Sequence, residues 1–273
     1  MAVIAINQQL GSRGDELGQL AAAALGYRYW GRPELISASA RAYNVGPEQF
    51  AILDEHSPHF WERPKVDADR LRAFLRAALF KEIAQDRVVF ASSSGTQLLP
   101  ANGFALRVRV LAALPVRVRN LVESAKLSAS AAEKRVRDHD REVKARAQTL
   151  YNFDIDDPHL YDLVLNTSVL PLATIAETLR ACVDTITSSA DGRGLQELRD
   201  ASVAAQVRAA LLSHPKFLHA EINVGCADGA VRVEGPGLVA PWSDLARSVA
   251  VGIEGVKTCD IGGDDPPMPL RAE

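Results

Sequence analysis

Apolar positions along the chain follow two rhythms. Residues 2–6 (AVIAI) form a continuous apolar run of strand length. A glycine-containing loop and a helical run over about 15–25 (DELGQLAAAAL) follow, closed by Gly26. Buried strand, loop and helix in that order open a βαβ unit. The short aromatic run 27–30 (YRYW) reads as a second strand. Helices are expected over 34–43 and 67–85; in the second, Leu71, Phe74, Leu75, Ala78, Leu79 and Ile83 share one face. Three more apolar runs of strand length follow: 87–92 (RVVFAS), 106–113 (LRVRVLAA) and 162–168 (DLVLNTS). A charged helix over 128–148 separates the last two, and an amphipathic one over 171–187 comes after them. Strands interleaved with helices predict an α/β fold with a mostly parallel sheet covered on both faces.

The rhythm changes after residues 188–196 (SSADGRGLQ), which are small and polar and read as a linker. Residues 197–262 then give a helix, two alternating strands joined at Asp228-Gly229, a second helix with Ser243 and Asp244 near its start, and a last strand VKTCDI. Asp-Gly between alternating runs is a hairpin signal, so the order is αββαβ. The sequence thus predicts a first domain over 1–187, a linker over 188–196, a small domain over 197–262 and a frayed tail over 263–273.

The 273 residues suit one large domain plus a small one, and 47% hydrophobic with 24% charged residues is an ordinary globular balance. The net charge is −3, and residues 195–273 carry seven Lys and Arg against eleven Asp and Glu. Neither figure suits a general nucleic-acid or anionic-lipid binder. With no basic n-region, no long apolar h-region and no apolar run long enough to span a bilayer, a cytoplasmic location is expected. Cys182, Cys226 and Cys259 are widely spaced, which argues against a zinc site or a disulfide framework. Cys226 and Cys259 fall on predicted strands and read as buried structural thiols.

The candidate chemistry lies in NQQLGSRGDELG, between the first strand and the first helix. Backbone N–H groups converge at such a loop and the helix dipole favours an anion. A complete phosphate loop also supplies a Lys to the β/γ-phosphates and a hydroxyl to magnesium. Aligned on the helix end at Leu25-Gly26, Gly14 stands in the Lys position, and Asp15 and Glu16 stand where the hydroxyl residues belong. A tight strand-to-helix turn with acidic first-turn residues would have the same sequence. In the charged helix, Glu133–Arg137, Asp140–Lys144 and Glu142–Arg146 are acid-first i,i+4 pairs that would stabilise a solvated helix unaided. His56 and His59 flank Pro58 beside Asp54, Glu55 and Glu62, at no metal-ligand spacing, and Phe60 and Trp61 read as local core. His139 and His159 have no partner that sequence names.

INQQLGSRGDELGQLAAAALGYRYWGRPELI resembles the opening of the cytidylate kinase-like family, whose pattern is roughly I-S-R-Q-x-G-S-G-G-R-E-I, a helix, then L-G-x-x-Y-x-D-R-E-L-I. RVRDHDREVKARAQTLYNFDIDDPHLYDLVLNTSVLPLATIAETL resembles its lid and final strand-helix, with Y-D-L-V-L-N-T-S the most specific piece. The resemblance implies a nucleoside monophosphate kinase-like P-loop fold, ATP and Mg2+ as cofactors, and transfer of the ATP γ-phosphate to a nucleoside monophosphate or another small acceptor. It implies phosphate binding by Gly11, Ser12, Arg13 and Gly14, and catalytic roles for Arg13, Arg137 and Arg141. Asp140 also matches the lid pattern. Arg32, Ser94, Gly95 and Thr96 are implied on the acceptor side. No protein ligands to a metal are assigned. Asp15 replaces the family Arg, Gly31 replaces the acid before R-E-L-I, and Ser92-Ser93-Ser94-Gly95 lacks the Arg of G-R-G-G. A catalytically inactive pseudokinase is therefore the alternative. Residues 198–262 resemble a BON domain through D-G-A-V-R-V-E-G, with Val233 for the usual Leu. That implies an interaction module for a phospholipid surface or a protein partner, with a homo-oligomer also open.

Overall fold

The computed structural model describes residues 3–53, 65–85, 87–92, 99, 105–189 and 193–262. They divide into two compact units. The first takes residues 3–35 and 85–194, and the second takes 36–53, 65–84 and 195–262.

The first unit is a five-stranded parallel sheet in the order β2-β3-β1-β4-β5, with β1 (Val3–Gln8), β2 (Arg28–Gly31), β3 (Val88–Ser92), β4 (Ala105–Leu111) and β5 (Leu163–Asn166). Val3, Ile4, Ala5 and Ile6 are fully buried because β1 is the central strand, covered on both faces. Ile4 and Ile6, Val89 and Ala91, and Leu106, Val108 and Val110 point to one side. There they pack with Leu17 and Ala21 of α1 (Gly14–Leu25) and Ile175, Leu179 and Val183 of α6 (Leu172–Ser189). The pleat sends Asn7, Arg107 and Arg109 to the other side. Gly26 caps α1 in the left-handed region, its N–H bonding the carbonyls of Ala22 and Ala23.

The structure corrects the sequence reading in three places. Between β4 and β5 there are two helices, not one: α4 (Leu114–Ala125) precedes α5 (Ala129–Tyr151). Pro115 takes the first turn of α4, where its missing N–H costs nothing. The stretch expected as a linker is helical at both ends, since α6 runs to Ser189 and α7 (Arg193–Ser213) begins at Arg193. The buried stripe of α7 reaches back to Leu198, and one Gly in a helix costs only about 1 kcal/mol. Finally, the expected Asp140–Lys144 pair is not made. Lys144 reaches Asp154 and Asp156, while Asp140 pairs with Arg117. The expected Glu133–Arg137 pair does form.

In the second unit, residues 36–53 and 65–84 form most of α2 (Arg32–Tyr43), a 3-10 segment Pro47–Leu53 and α3 (Lys65–Ile83). Tyr43 stacks on Phe74 with centroids 4.2 Å apart. From residue 195 the order is α7, β6 (Asn223–Ala227), β7 (Ala230–Glu234), α8 (Trp242–Val251) and β8 (Thr258–Gly262). β7 is central, antiparallel to β6 and parallel to β8. Asp228 and Gly229 both have positive φ, as a two-residue hairpin turn requires. Asp200 of α7 accepts from the N–H of Asp228 at 2.9 Å and of Gly229 at 3.2 Å, which ties the helix to the turn. Cys226 and Cys259 are free thiols on either side of Val231. Burial, with a hydrogen bond to Asp200, pushes the Cys226 thiol up to about 11. No helix among the described residues is long and apolar enough to cross a membrane.

Candidate functional site

β1 delivers the chain to the carboxyl end of the sheet, where ligands bind in open parallel sheets. The loop is short and tightly held. Ser12 is fully buried, and both its N–H and its hydroxyl donate to the carbonyl of Gln9, at 3.0 and 2.7 Å. Thr167 Oγ1 donates to the Ser12 carbonyl at 2.9 Å and Asn120 Nδ2 to the Gly11 carbonyl at 2.9 Å. Gly11 has φ +80°, and a Cβ there would stand 2.6 Å from the Arg117 carbonyl of α4. The loop therefore lies against α4 with no room for a side chain. The N-T-S of Y-D-L-V-L-N-T-S is its buttress: Thr167 holds Ser12, and Ser168 Oγ accepts from the Ala113 N–H at 2.7 Å beside the start of α4.

Arg13 caps α1 with φ 62°, a conformation that costs a non-glycine residue about 1–2 kcal/mol. Glycine stands at this place in G-S-G-G for the same reason. The Arg13 guanidinium binds Glu16 through Nε at 2.7 Å and Nη2 at 2.5 Å, each side chain about half exposed. This hydrogen bond raises the Arg13 pKa, and burial opposes it; the same bond lowers the Glu16 pKa. Gly14, in the Lys position, packs under Gln8, whose Oε1 would be 2.3 Å from an added Cβ. Asp15 accepts from Gln8 Nε2 at 2.7 Å and Tyr29 OH at 2.8 Å. Burial, and then the charge of Asp15, push the Tyr29 phenol well above its ordinary range. Asp15 is thus fixed beside the loop by two neutral donors, and among the described residues no cation pairs with it.

A cleft of about 740 Å³ opens over this loop, within the range of small-molecule sites. Gln8, Gln9, Gly11 and the first turn of α1 form one wall, Arg32 and Pro33 another, and Asn120, Glu123 and Ser124 of α4 with His139 of α5 a third. The charged lining is mixed: Arg13 and Arg32 against Asp15, Glu16 and Glu123. Arg13 and Arg32 both line this cleft. Arg137 and Arg141 do not line it; they bind Glu133 and Asp138 on the exposed side of α5. Ser94, Gly95 and Thr96, with His56 and His59, lie outside the described residues.

Several residues around the cleft went unread in the sequence. Arg117, 5% exposed, grips both oxygens of Asp140 at 2.8 and 2.7 Å and so holds α5 on α4. Arg109, also buried, donates to Asn7 and Asp156 and lies over the Tyr161 ring. It lines a smaller pocket of about 180 Å³ with Lys144, Arg141 and His139. These positions come together only through strand register and the α4–α5 packing. A periodicity signal was present for His139 alone, on the apolar stripe of α5.

The first-turn amides of α1 fit a phosphate, since the first N–H groups of a helix have no intrahelical partner; the N–H and hydroxyl of buried Ser12, both given to the Gln9 carbonyl, are not among them. The donor set for Mg2+ does not fit. The helix start has no hydroxyl residue, the two carboxylates there are engaged, and no cluster of three or more metal-ligating side chains occurs among the described residues.

Among solved structures, an uncharacterized protein from Eubacterium ventriosum shares the fold with TM-score 0.51 and 12% identity, covering 68% of this chain and 99% of its own. A shikimate kinase from Bacteroides thetaiotaomicron aligns with TM-score 0.42 and 12% identity, covering 67% and 98%. No curated protein matches the chain. The cytidylate kinase-like family matches over residues 3–169, which includes all five strands of the parallel sheet, the loop and α4–α5. By that match over more than half its length, this chain belongs to the cytidylate kinase-like family.

Proposed function

We propose that the chain binds a nucleotide in the loop cleft, and that the reaction its site is built toward is transfer of the ATP γ-phosphate to a nucleoside monophosphate. The placement of Arg13 carries this reading. It stands at the helix N-terminus, paired among the described residues with Glu16 in an exposed i,i+3 contact, and such pairs contribute about 0.3–0.5 kcal/mol. A polyphosphate competes easily with that, so Arg13 exchanges Glu16 for the ligand and supplies the cation that Gly14 cannot. The first-turn amides of α1 hold the phosphate, and Arg32, across the cleft, faces the acceptor. These groups act by positioning and charge, which is what phosphoryl transfer requires.

The immobilised Asp15 favours a second reading. A fixed carboxylate where a hydroxyl would hold magnesium suits binding without turnover, and residues 1–187 would then be a sensing pseudokinase domain. In either reading residues 197–262 act as a BON-like module; the α-β-β-α-β order and the Asp-Gly hairpin support this. Its partner would be a protein or a phospholipid surface.

A thermal-shift titration with ATP, CMP and both, with and without Mg2+, followed by quantification of CDP, tests these readings. Ligand at 100 times its dissociation constant adds about 2.7 kcal/mol. Stabilisation with product that disappears in Arg13→Ala supports the kinase. Stabilisation without product supports the pseudokinase, and no stabilisation removes the nucleotide site.

A further inference from the structure

α5 carries one buried stripe: Ala132, Val136, His139, Val143 and Ala147. That spacing is the seam by which a helix packs, and four of its five members are apolar. The early part of the seam joins Leu121 of α4 and Leu10 of the loop in one apolar cluster. The later part joins Phe153 and Ile155 in another. His139, 4% exposed, stands between the two clusters. The same residue, with Gln8 and Gln9, lines both the 740 Å³ cleft over the loop and the 180 Å³ pocket beside it.

Burying an imidazole forfeits its hydration, so such a ring is kept where its nitrogens have polar partners. An imidazole is useful where the seam borders a cavity that admits a polar ligand, since either ring nitrogen can donate a hydrogen bond. Arg137 and Arg141 lie outside this stripe and are tied to Glu133 and Asp138. We propose that His139 is the lid residue that contacts the phosphates of the bound nucleotide, donating a ring N–H from the α5 wall of the cleft. This rests on the nucleotide-binding reading above and names the lid contact within it.

The test uses the full chain, with ATP, inorganic pyrophosphate and adenosine as probes, binding measured by calorimetry and the His139 ring nitrogens followed by NMR in the unsubstituted protein. Pyrophosphate is expected to shift the His139 ring resonances. His139→Ala is expected to weaken ATP and pyrophosphate about 10-fold, the worth of one hydrogen bond to a charged group. His139→Gln, whose amide can donate in its place, should restore most of that loss. An unmoved ring at saturating pyrophosphate overturns the proposal, as do unchanged affinities in His139→Ala or equal losses for ATP and adenosine. If the unsubstituted chain binds neither ATP nor pyrophosphate, the nucleotide-binding reading itself falls, a result distinct from normal binding that ignores His139. The ring measurement needs no variant, so it stands even if His139→Ala does not fold.

Discussion

Replacing Gly11 with alanine tests the idea that the loop is clamped against α4. Two separate costs apply. At φ +80° a Cβ strains the backbone by about 1–2 kcal/mol. At 2.6 Å from the Arg117 carbonyl, it must also push apart two backbone segments, and overpacking of this kind costs about 1–3 kcal/mol. The sum is about 2–5 kcal/mol. Gly26→Ala provides the control: φ there is +67°, yet nothing lies within 4 Å of the added Cβ, so only the strain of about 1–2 kcal/mol remains. Native-state hydrogen exchange of the β1 amides reads the stability of the sheet that carries the loop. Gly11→Ala should accelerate exchange from the globally unfolded state about 30-fold to several thousand-fold, since each 1.36 kcal/mol is a factor of ten. Gly26→Ala should accelerate it by about 5- to 30-fold. Equal effects of the two variants would refute the close approach of loop and α4 and, with it, the geometry on which the phosphate cradle rests.

Asn120→Ala removes the hydrogen bond to the Gly11 carbonyl; about 1 kcal/mol of stability and part of any ATP-dependent thermal shift should go with it, while an unchanged shift would mean that the loop holds its shape without α4. Glu16→Gln frees Arg13, so ATP should bind a few-fold more tightly at low salt, and the gain should fade at about 1 M salt as charges are screened; weaker binding would show that Glu16 assists the ligand. Asp200→Ala should cost about 1–3 kcal/mol at pH 7 in chemical unfolding of the second unit. Burial acts to raise the Asp200 pKa, but its hydrogen bonds from Asp228, Gln196, Gly229 and Cys226 hold it below the ordinary value. Its contribution is therefore full above the unfolded carboxylate pKa and is lost as pH falls through the lower folded value, so the difference between Asp200→Ala and the parent should shrink in acid; a pH-independent difference would contradict this. With its thiol near 11, Cys226 should react with iodoacetamide at pH 8 at least about 10-fold more slowly than a free thiol, as mass spectrometry of the labelled peptide can check.

Local rules carried a large part of this protein. A strand buried on both faces must be nearly all apolar, so AVIAI announced a covered strand. A helix stopped in the left-handed region needs a residue such as Gly26, and a two-residue hairpin needs a pair such as Asp228-Gly229. These signals lie within a few residues of one another, and the structure places each feature where they predict it. The helix α4 was not read from the sequence, and its apolar face is defined by packing against α5. The loop was visible as strand, glycines and helix, and Arg13 and Arg32 line the cleft over it. What holds that loop was not visible, because Asn120 and Thr167 stand 109 and 155 residues away from the carbonyls they bind. The partners of the charged helix were equally undetermined. Any acid four residues before a basic group is a local match, but Asp140 found a buried arginine on α4 instead, and a guanidinium that has lost its water holds a carboxylate more strongly than an exposed lysine does. The sequence thus specified where the backbone turns and which faces are apolar, since both depend on neighbours in the chain. Which charges meet and which helix face borders the cleft were decided by tertiary packing, because these depend on distances that no local pattern encodes.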